Sequence, residues 1–173
     1  MTAALQIISM NSRTAQRAVR FLIFEVLIKV SDPALRLNNT QAAAIIAAHP
    51  TLAEHACRQN GFGRFAEKLE QASLPHLVEH LAIDFLAKNH QGAIAGTTTW
   101  GNHAQQTMLV RLRIPLAECE PERQDEVDLL AEKRDGDDLF AEKRTRNDLL
   151  AEKRAQAEQA IQQAVTEVSE FFA

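Results

Sequence analysis

The chain has 173 residues, 46% of them hydrophobic and 24% charged, and a net charge of −4. That length fits one domain with an extension and is enough to bury a real core. Its 19 Lys and Arg are too thinly spread for the dense basic patch of a nucleic-acid interface, and no apolar run approaches the about 20 residues that span a bilayer. The charge is uneven: the part up to Cys119 carries +3 and the part from Glu120 onward −7. A composition boundary therefore falls near Pro115–Pro121. Cys57 and Cys119 are too few for a disulfide framework. The N-terminus lacks an apolar core followed by a small-residue cleavage site, so a reduced, cytoplasmic protein is expected.

In chain order, a short strand is expected near Leu5–Ile8. Phe21–Val30 is the clearest strand, because Leu22, Phe24, Val26, Ile28 and Val30 make one wholly apolar face. Ser31-Asp32-Pro33 breaks it. Asn38-Asn39-Thr40 caps an alanine-rich helix over Gln41–Ala48. His49-Pro50-Thr51 ends that helix and opens a second, Leu52–Gln59. Asn60-Gly61-Phe62-Gly63 reads as a turn, and Arg64–Gln71 as a helix with Phe65 and Leu69 inward. Ser73 caps the next helix, Leu74–Asn89, with Pro75 in its first turn and Leu77, Leu81 and Phe85 as its buried stripe. Gly96–Gly101 is a polar loop or strand edge. Thr107–Ile114 alternates as a strand, with Arg111 and Arg113 on its polar face. These elements predict an α+β fold: a small sheet of a few strands with helices packed on one face.

The acidic part holds a repeat. Asp128-Leu-Leu-Ala-Glu-Lys-Arg returns as Asp138-Leu-Phe-Ala-Glu-Lys-Arg and Asp148-Leu-Leu-Ala-Glu-Lys-Arg, ten residues apart. On a helix this period rotates the apolar pair by about 80° per copy, so the copies cannot share one face. A solvated tail is expected rather than a solenoid. Ala155–Phe172 recovers a helical stripe in Ala157, Ile161, Val165, Val168 and Phe172. That helix either docks on the domain or pairs with another chain, as a homo-oligomer or with a partner. The expected division is a domain over 1–117, a repeat segment over 118–154 and a C-terminal amphipathic helix over 155–173.

The residues able to do chemistry concentrate in Leu74–Asn89, where His76, Glu79 and His80 stand in the order His-x-x-Glu-His. On a helix the two histidines are one turn apart on one face. Neutral imidazoles at that spacing suit zinc or another divalent transition metal, and the intervening glutamate can take a proton from a metal-bound water. A third ligand is needed. His55 is the first choice, with Asp84 and Cys57 behind it. A Cys57–His55 nucleophilic pair is disfavoured, since two residues apart on a helix they would point apart. Gly61-x-Gly63 lacks the lysine and the strand–turn–helix setting of a phosphate loop. Thr97, Thr98 and Thr99 offer hydroxyls to a carboxylate-bearing ligand. The competing reading makes His76 a helix cap and His80 a hydrogen-bonded neighbour of the core.

Three segments together resemble a known family. They are Leu52-Ala-Glu-His55-Ala-Cys57, Asn60-Gly-Phe-Gly-Arg-Phe65-Ala-Glu-Lys-Leu69 and Pro75-His-Leu-Val-Glu-His-Leu-Ala-Ile-Asp84. In order and spacing they are similar to the N-terminal domain of cyanophycin synthetases, most clearly over Leu52–Lys88. The resemblance implies an α+β domain that holds a polymer of aspartate backbone with arginine side chains. In some members it implies cleavage of that polymer at a metal-type site. It maps His55, His76, Glu79 and His80 onto the family's polar positions, and Asp84 onto a position where glutamate is usual. The Thr-Arg that follows the family's glycine is replaced here by Thr97-Thr98-Thr99 after Gly96. The ATP-grasp and ligase domains that build the polymer have no counterpart in these 173 residues. The expectation is a polar peptide- or amide-polymer-binding domain acting as a metal-dependent hydrolase of peptide or isopeptide-type bonds. Glu79 would be the base and His55, His76 and His80 the ligands. The alternative is a non-catalytic binding or assembly module.

Overall fold

The structure, a computed structural model, describes residues 4–14, 21–58, 61–88, 93–116 and 136–172, the first eleven of the last segment as backbone only. Four strands form one antiparallel sheet: β1 (Leu5–Thr14), β2 (Phe21–Val30), β5 (Ala95–Asn102) and β6 (Thr107–Pro115), in the order β1-β2-β6-β5. β2 lies inside the sheet because its alternation suits two neighbours and one covered face. Leu22, Phe24, Val26, Ile28 and Val30 are all buried, and Met108, Val110, Leu112 and Ile114 extend the same face on β6. β1 is longer than the Leu5–Ile8 expected. A bulge between Ile7 and Ser9 lets it stay paired with β2 to Thr14 and turns Ile8 out to solvent.

The other sheet face remains partly open. Glu25 accepts from Arg111 at 2.7 Å and from Arg13 at 3.4 Å there, and the Arg113 guanidinium lies 3.7 Å from the Phe21 ring centroid. Gly96–Gly101 proves to be strand, within the edge strand β5. Its threonines alternate in the pleat, so Thr98 turns inward while Thr97 and Thr99 are exposed.

Two long helices cover the apolar face. α2 (Leu74–Ala87) packs on β5, β6 and β2, and α3 (Gly136–Glu170) packs on α2, β1 and β2. The helix expected over Ala155–Phe172 is thus the second half of a longer one that runs unbroken through the third repeat copy. Asp148 and Glu152 of that copy face solvent, while Leu149 and Leu150 are half-buried. Downstream, Ala157, Ala160, Ile161, Ala164 and Val168 are buried, so this apolar stripe docks on its own domain. The first repeat copy lies outside the described residues.

Residues 39–58 and 61–71 form a lobe against the far side of α2. α1 (Asn39–Ala48) begins with a reciprocal cap: Asn38 Oδ1 accepts from Gln41 N at 2.9 Å, and Gln41 Oε1 accepts from Asn38 N at 3.0 Å. One expected helix is corrected here, and the other is present in 3₁₀ form. Leu52–Gln59 is a 3₁₀ turn over Pro50–Glu54 followed by a two-residue strand, β3 (Ala56–Cys57). His55 leaves the turn with ψ 127°, and Cys57 pairs with Gly63 of β4 (Gly63–Arg64). Phe65–Gln71 is likewise 3₁₀, with Phe65 and Leu69 buried as expected. Segments this short cannot recover the cost of nucleating an α-helix. Gly61, at φ +101°, supplies the left-handed residue of the turn between β3 and β4.

Enclosed between sheet, lobe and α3, helix α2 is buried nearly all round. His76, Glu79, His80 and Asp84 are buried with Leu77 and Leu81, while Ile83 and Phe85 are half-buried and Ala87 at the end is exposed.

Candidate metal centre

Ser73 starts α2 by accepting a hydrogen bond from His76 N at 3.4 Å, which places His76 in the first turn and His80 one turn on. The two rings meet: His76 Nε2 and His80 Nε2 are 3.1 Å apart. Phe65 lies flat on His80, centroids 3.7 Å apart and planes 14° off parallel, which sets the orientation of that ring.

The correction from helix to extended chain at 55–57 decides the rest. In extended backbone, residues i and i+2 project to the same side. His55 and Cys57 therefore both reach α2, where a helix would have turned them apart. Cys57 Sγ stands 3.6 Å from His76 Nε2, and His55 Nδ1 stands 3.4 Å from His80 Nδ1. Cys57, His76 and His80 each offer a donor atom within 4.8 Å of the others, a cluster able to hold a metal ion. His55 is beside this cluster, against the opposite ring nitrogen of His80. The third donor brought to the pair on α2 is therefore Cys57, ranked behind His55 on sequence.

Burial tunes these groups. It pushes the His76 pKa down to about 4, with the Lys68 ammonium adding to the effect. It pushes His80 down to about 3, helped by the neighbouring His76 and His55. His55 is also lowered by burial, against the opposing pull of Asp84. Both rings of the cluster are thus neutral at pH 7 and present lone pairs, the form in which imidazole binds a metal. Lys68 is anchored by donating to the carbonyl oxygens of Cys57, at 3.3 Å, and of Gly61.

Glu79 is turned toward the sheet. Its carboxylate accepts from the Thr98 hydroxyl at 2.5 Å, and burial lifts its pKa to about 7 against that bond's downward pull. Gly96 makes the space. A Cβ on Gly96 would sit 2.5 Å from Glu79 Oε1 and 2.6 Å from its Cγ. Gly96→Ala is accordingly expected to displace Glu79 and lower stability by about 1–3 kcal/mol. Denaturant melts would detect this, and an unchanged midpoint would show that the carboxyl moves aside freely. Thr97 and Thr99, expected beside Thr98 as substrate ligands, lie on the opposite sheet face.

Asp84 is two per cent exposed and sits outside the cluster. Oδ1 accepts from the Thr51 hydroxyl and lies 3.8 Å from His55 Nε2. Oδ2 faces His49 Nδ1 at 3.4 Å and Lys88 Nζ at 3.5 Å. His49 Nε2 in turn meets Glu167 of α3. The sequence marks His49-Pro50-Thr51 as a junction between helices and gives no sign of the polar contacts that His49 and Thr51 make with Asp84. No local pattern separates a buried histidine from an exposed one at such a junction.

Comparison with family models, curated proteins and solved structures yields no match for this chain.

Proposed function

We propose that this chain is a metal-binding domain whose ion, zinc by the chemistry of its donors, is held by Cys57, His76 and His80 and serves amide hydrolysis. Two of the three donor separations carry the reading, and the third, Cys57 to His80, is within 4.8 Å. A tetrahedral zinc ion with Zn–N of ~2.0–2.1 Å and Zn–S of ~2.3 Å separates its ligand atoms by about 3.3 Å (N to N) and 3.6 Å (N to S). Here His76 Nε2 is 3.1 Å from His80 Nε2 and 3.6 Å from Cys57 Sγ. One thiolate with two imidazoles is a borderline-soft donor set, suited to zinc over calcium or magnesium. Three protein donors leave a fourth position, as hydrolytic sites do and closed structural sites do not. A bound ion would supply an acidified water and a polarised carbonyl.

The chain's own residues do the rest. Phe65 and the lobe keep bulk water from the two rings, and Thr98 and Gly96 hold the Glu79 carboxyl in one rotamer beside His80 in sequence. The role of proton carrier comes to Glu79 from the His-x-x-Glu-His pattern, since its carboxyl is held against Thr98 and Gly96 of the sheet. The substrate class, a polar peptide-like polymer with amide or isopeptide bonds, follows from the resemblance of Leu52–Lys88 to the cyanophycin synthetase N-terminal domain.

A second reading is a non-catalytic binding module. One observation favours it: exposed Thr97 and Thr99 share the open sheet face with Arg111 and Arg113, which pair in register with Thr97 and Ala95. The two arginines share this face with the threonines, although their guanidinium groups turn toward β2, Arg111 to Glu25 and Arg113 over Phe21. That face could take an acidic chain without using the buried centre.

Elemental analysis of protein purified without chelator tests both readings. Zinc near one per chain is expected in the wild type and should be absent from folded Cys57→Ala and His80→Ala. A metal-free wild type, unchanged by added zinc, removes the metal reading. Metal together with cleavage of an arginine-bearing polyaspartate that disappears in Glu79→Gln supports the hydrolase. Metal with binding but no cleavage supports the binding module.

A further inference from the structure

We propose that His55 and Asp84 are positioning residues for the centre: His80 Nδ1 donates to His55 Nδ1, and the Nε2–H of His55 is held facing the Asp84 carboxylate by electrostatic attraction, leaving His80 Nε2 with its lone pair toward Cys57 and His76. The inference rests on reading Cys57, His76 and His80 as the ligands, and it assigns His55 and Asp84 a role other than coordination.

The two nitrogens of His80 face different partners. Nε2 lies 3.1 Å from His76 Nε2, and Nδ1 lies 3.4 Å from His55 Nδ1. A neutral imidazole carries one N–H and one lone pair. If the lone pair serves an ion on the Nε2 side, the proton is on Nδ1 and needs an acceptor. His55 Nδ1 is that acceptor, which puts the proton of His55 on Nε2. That atom lies 3.8 Å from Asp84 Oδ1. Every tautomer along the line is then determined by the one before it. Asp84 is a firm end point because Thr51 donates to it and His49 and Lys88 approach its other oxygen.

Histidines that bind metals usually donate their second nitrogen to a carboxylate, carbonyl or water, which orients the ring and raises its basicity. Here the carboxylate is reached through one intervening imidazole. A ligand role for His55 fits less well. His55 Nδ1 and His80 Nδ1 are spaced to share an ion, but among the described residues no third donor joins that pair, whereas Cys57 joins the other.

Cobalt(II), which reports its coordination through visible absorption, is the probe. Apo wild type, Cys57→Ala, His55→Ala and His55→Gln are titrated against a competing chelator. His55→Ala should bind about 10–100-fold more weakly with band positions unchanged. His55→Gln should recover most of the affinity, since an amide can accept from His80 and turn its N–H toward Asp84. Cys57→Ala should lose the thiolate-to-cobalt absorption. If His55→Ala does not fold, His55→Leu, closer in volume, is read the same way. Altered bands in the His55 variant would make it a ligand and overturn the inference. Equal affinity in His55→Ala and wild type would overturn it too. Failure of the wild type to bind cobalt or zinc would remove the metal reading itself.

Discussion

Ile161→Ala is expected to cost about 2–5 kcal/mol of folding stability, the range for emptying a fully buried site. Ile161 is wholly buried where α3 meets α2, and its helical neighbours Ala157, Ala160 and Ala164 are buried as well. Those short side chains bring the helices close and have little reach to refill the space that alanine would leave. Glu152→Ala, on the exposed side of the same helix, should change stability by no more than about 0.5 kcal/mol. The contrast tests whether α3 is held by its buried side alone. Denaturant unfolding of both variants reads it directly. Matching midpoints for Ile161→Ala and wild type would mean that the helix contributes nothing to the fold.

Glu79→Gln is expected to stabilise the metal-free protein, increasingly as pH rises. Burial lifts the Glu79 pKa from 4.5 to about 7. Between these values the folded protein holds a proton that the unfolded chain has released. The stability contribution of Glu79 is therefore fully present below 4.5 and is lost as pH rises through 7. Glutamine keeps the shape, accepts from Thr98 and never ionises. The variant should gain on wild type from pH 5 to pH 8, by up to about 3 kcal/mol. A gain that shrinks with rising pH would contradict the sign.

The histidines act the other way. His76 and His80 are lowered from 6.5 to about 4 and about 3, so their contribution is present above 6.5 and is lost as pH falls toward those values. They titrate in both proteins and cancel from the difference. In the wild type alone they should appear as a loss of stability on acidification below about pH 6.5.

Much of the framework was readable without coordinates. The alternation of β2 and β6 reports a sheet covered on one face, and both strands have that face buried. Asn38 and Ser73 cap helices as their chemistry suggests. His76 and His80 come together because α2 is a helix and four residues make about one turn. The misreadings cluster at 50–71. Apolar spacing there allows a helix, but pairing of Cys57 with Gly63 and the short length between turns favour 3₁₀ and strand. For the three threonines a loop or strand edge leaves the direction of each hydroxyl open, whereas pairing with β6 forces them to alternate.

By itself, then, the sequence determined the two inner strands β2 and β6, the helix carrying His-x-x-Glu-His and the placement of two imidazoles on one side of it. These depend on neighbours within one or two turns, which local periodicity encodes. The tertiary structure alone decided that Cys57 completes the cluster, that His55 and Asp84 stand behind His80, and that Glu79 packs on Gly96. It also decided that the apolar stripe of α3 closes over its own domain. Each of these depends on separate segments arriving at one place. That arrival is set by how sheet, lobe and two helices share a single core, which no spacing along the chain records.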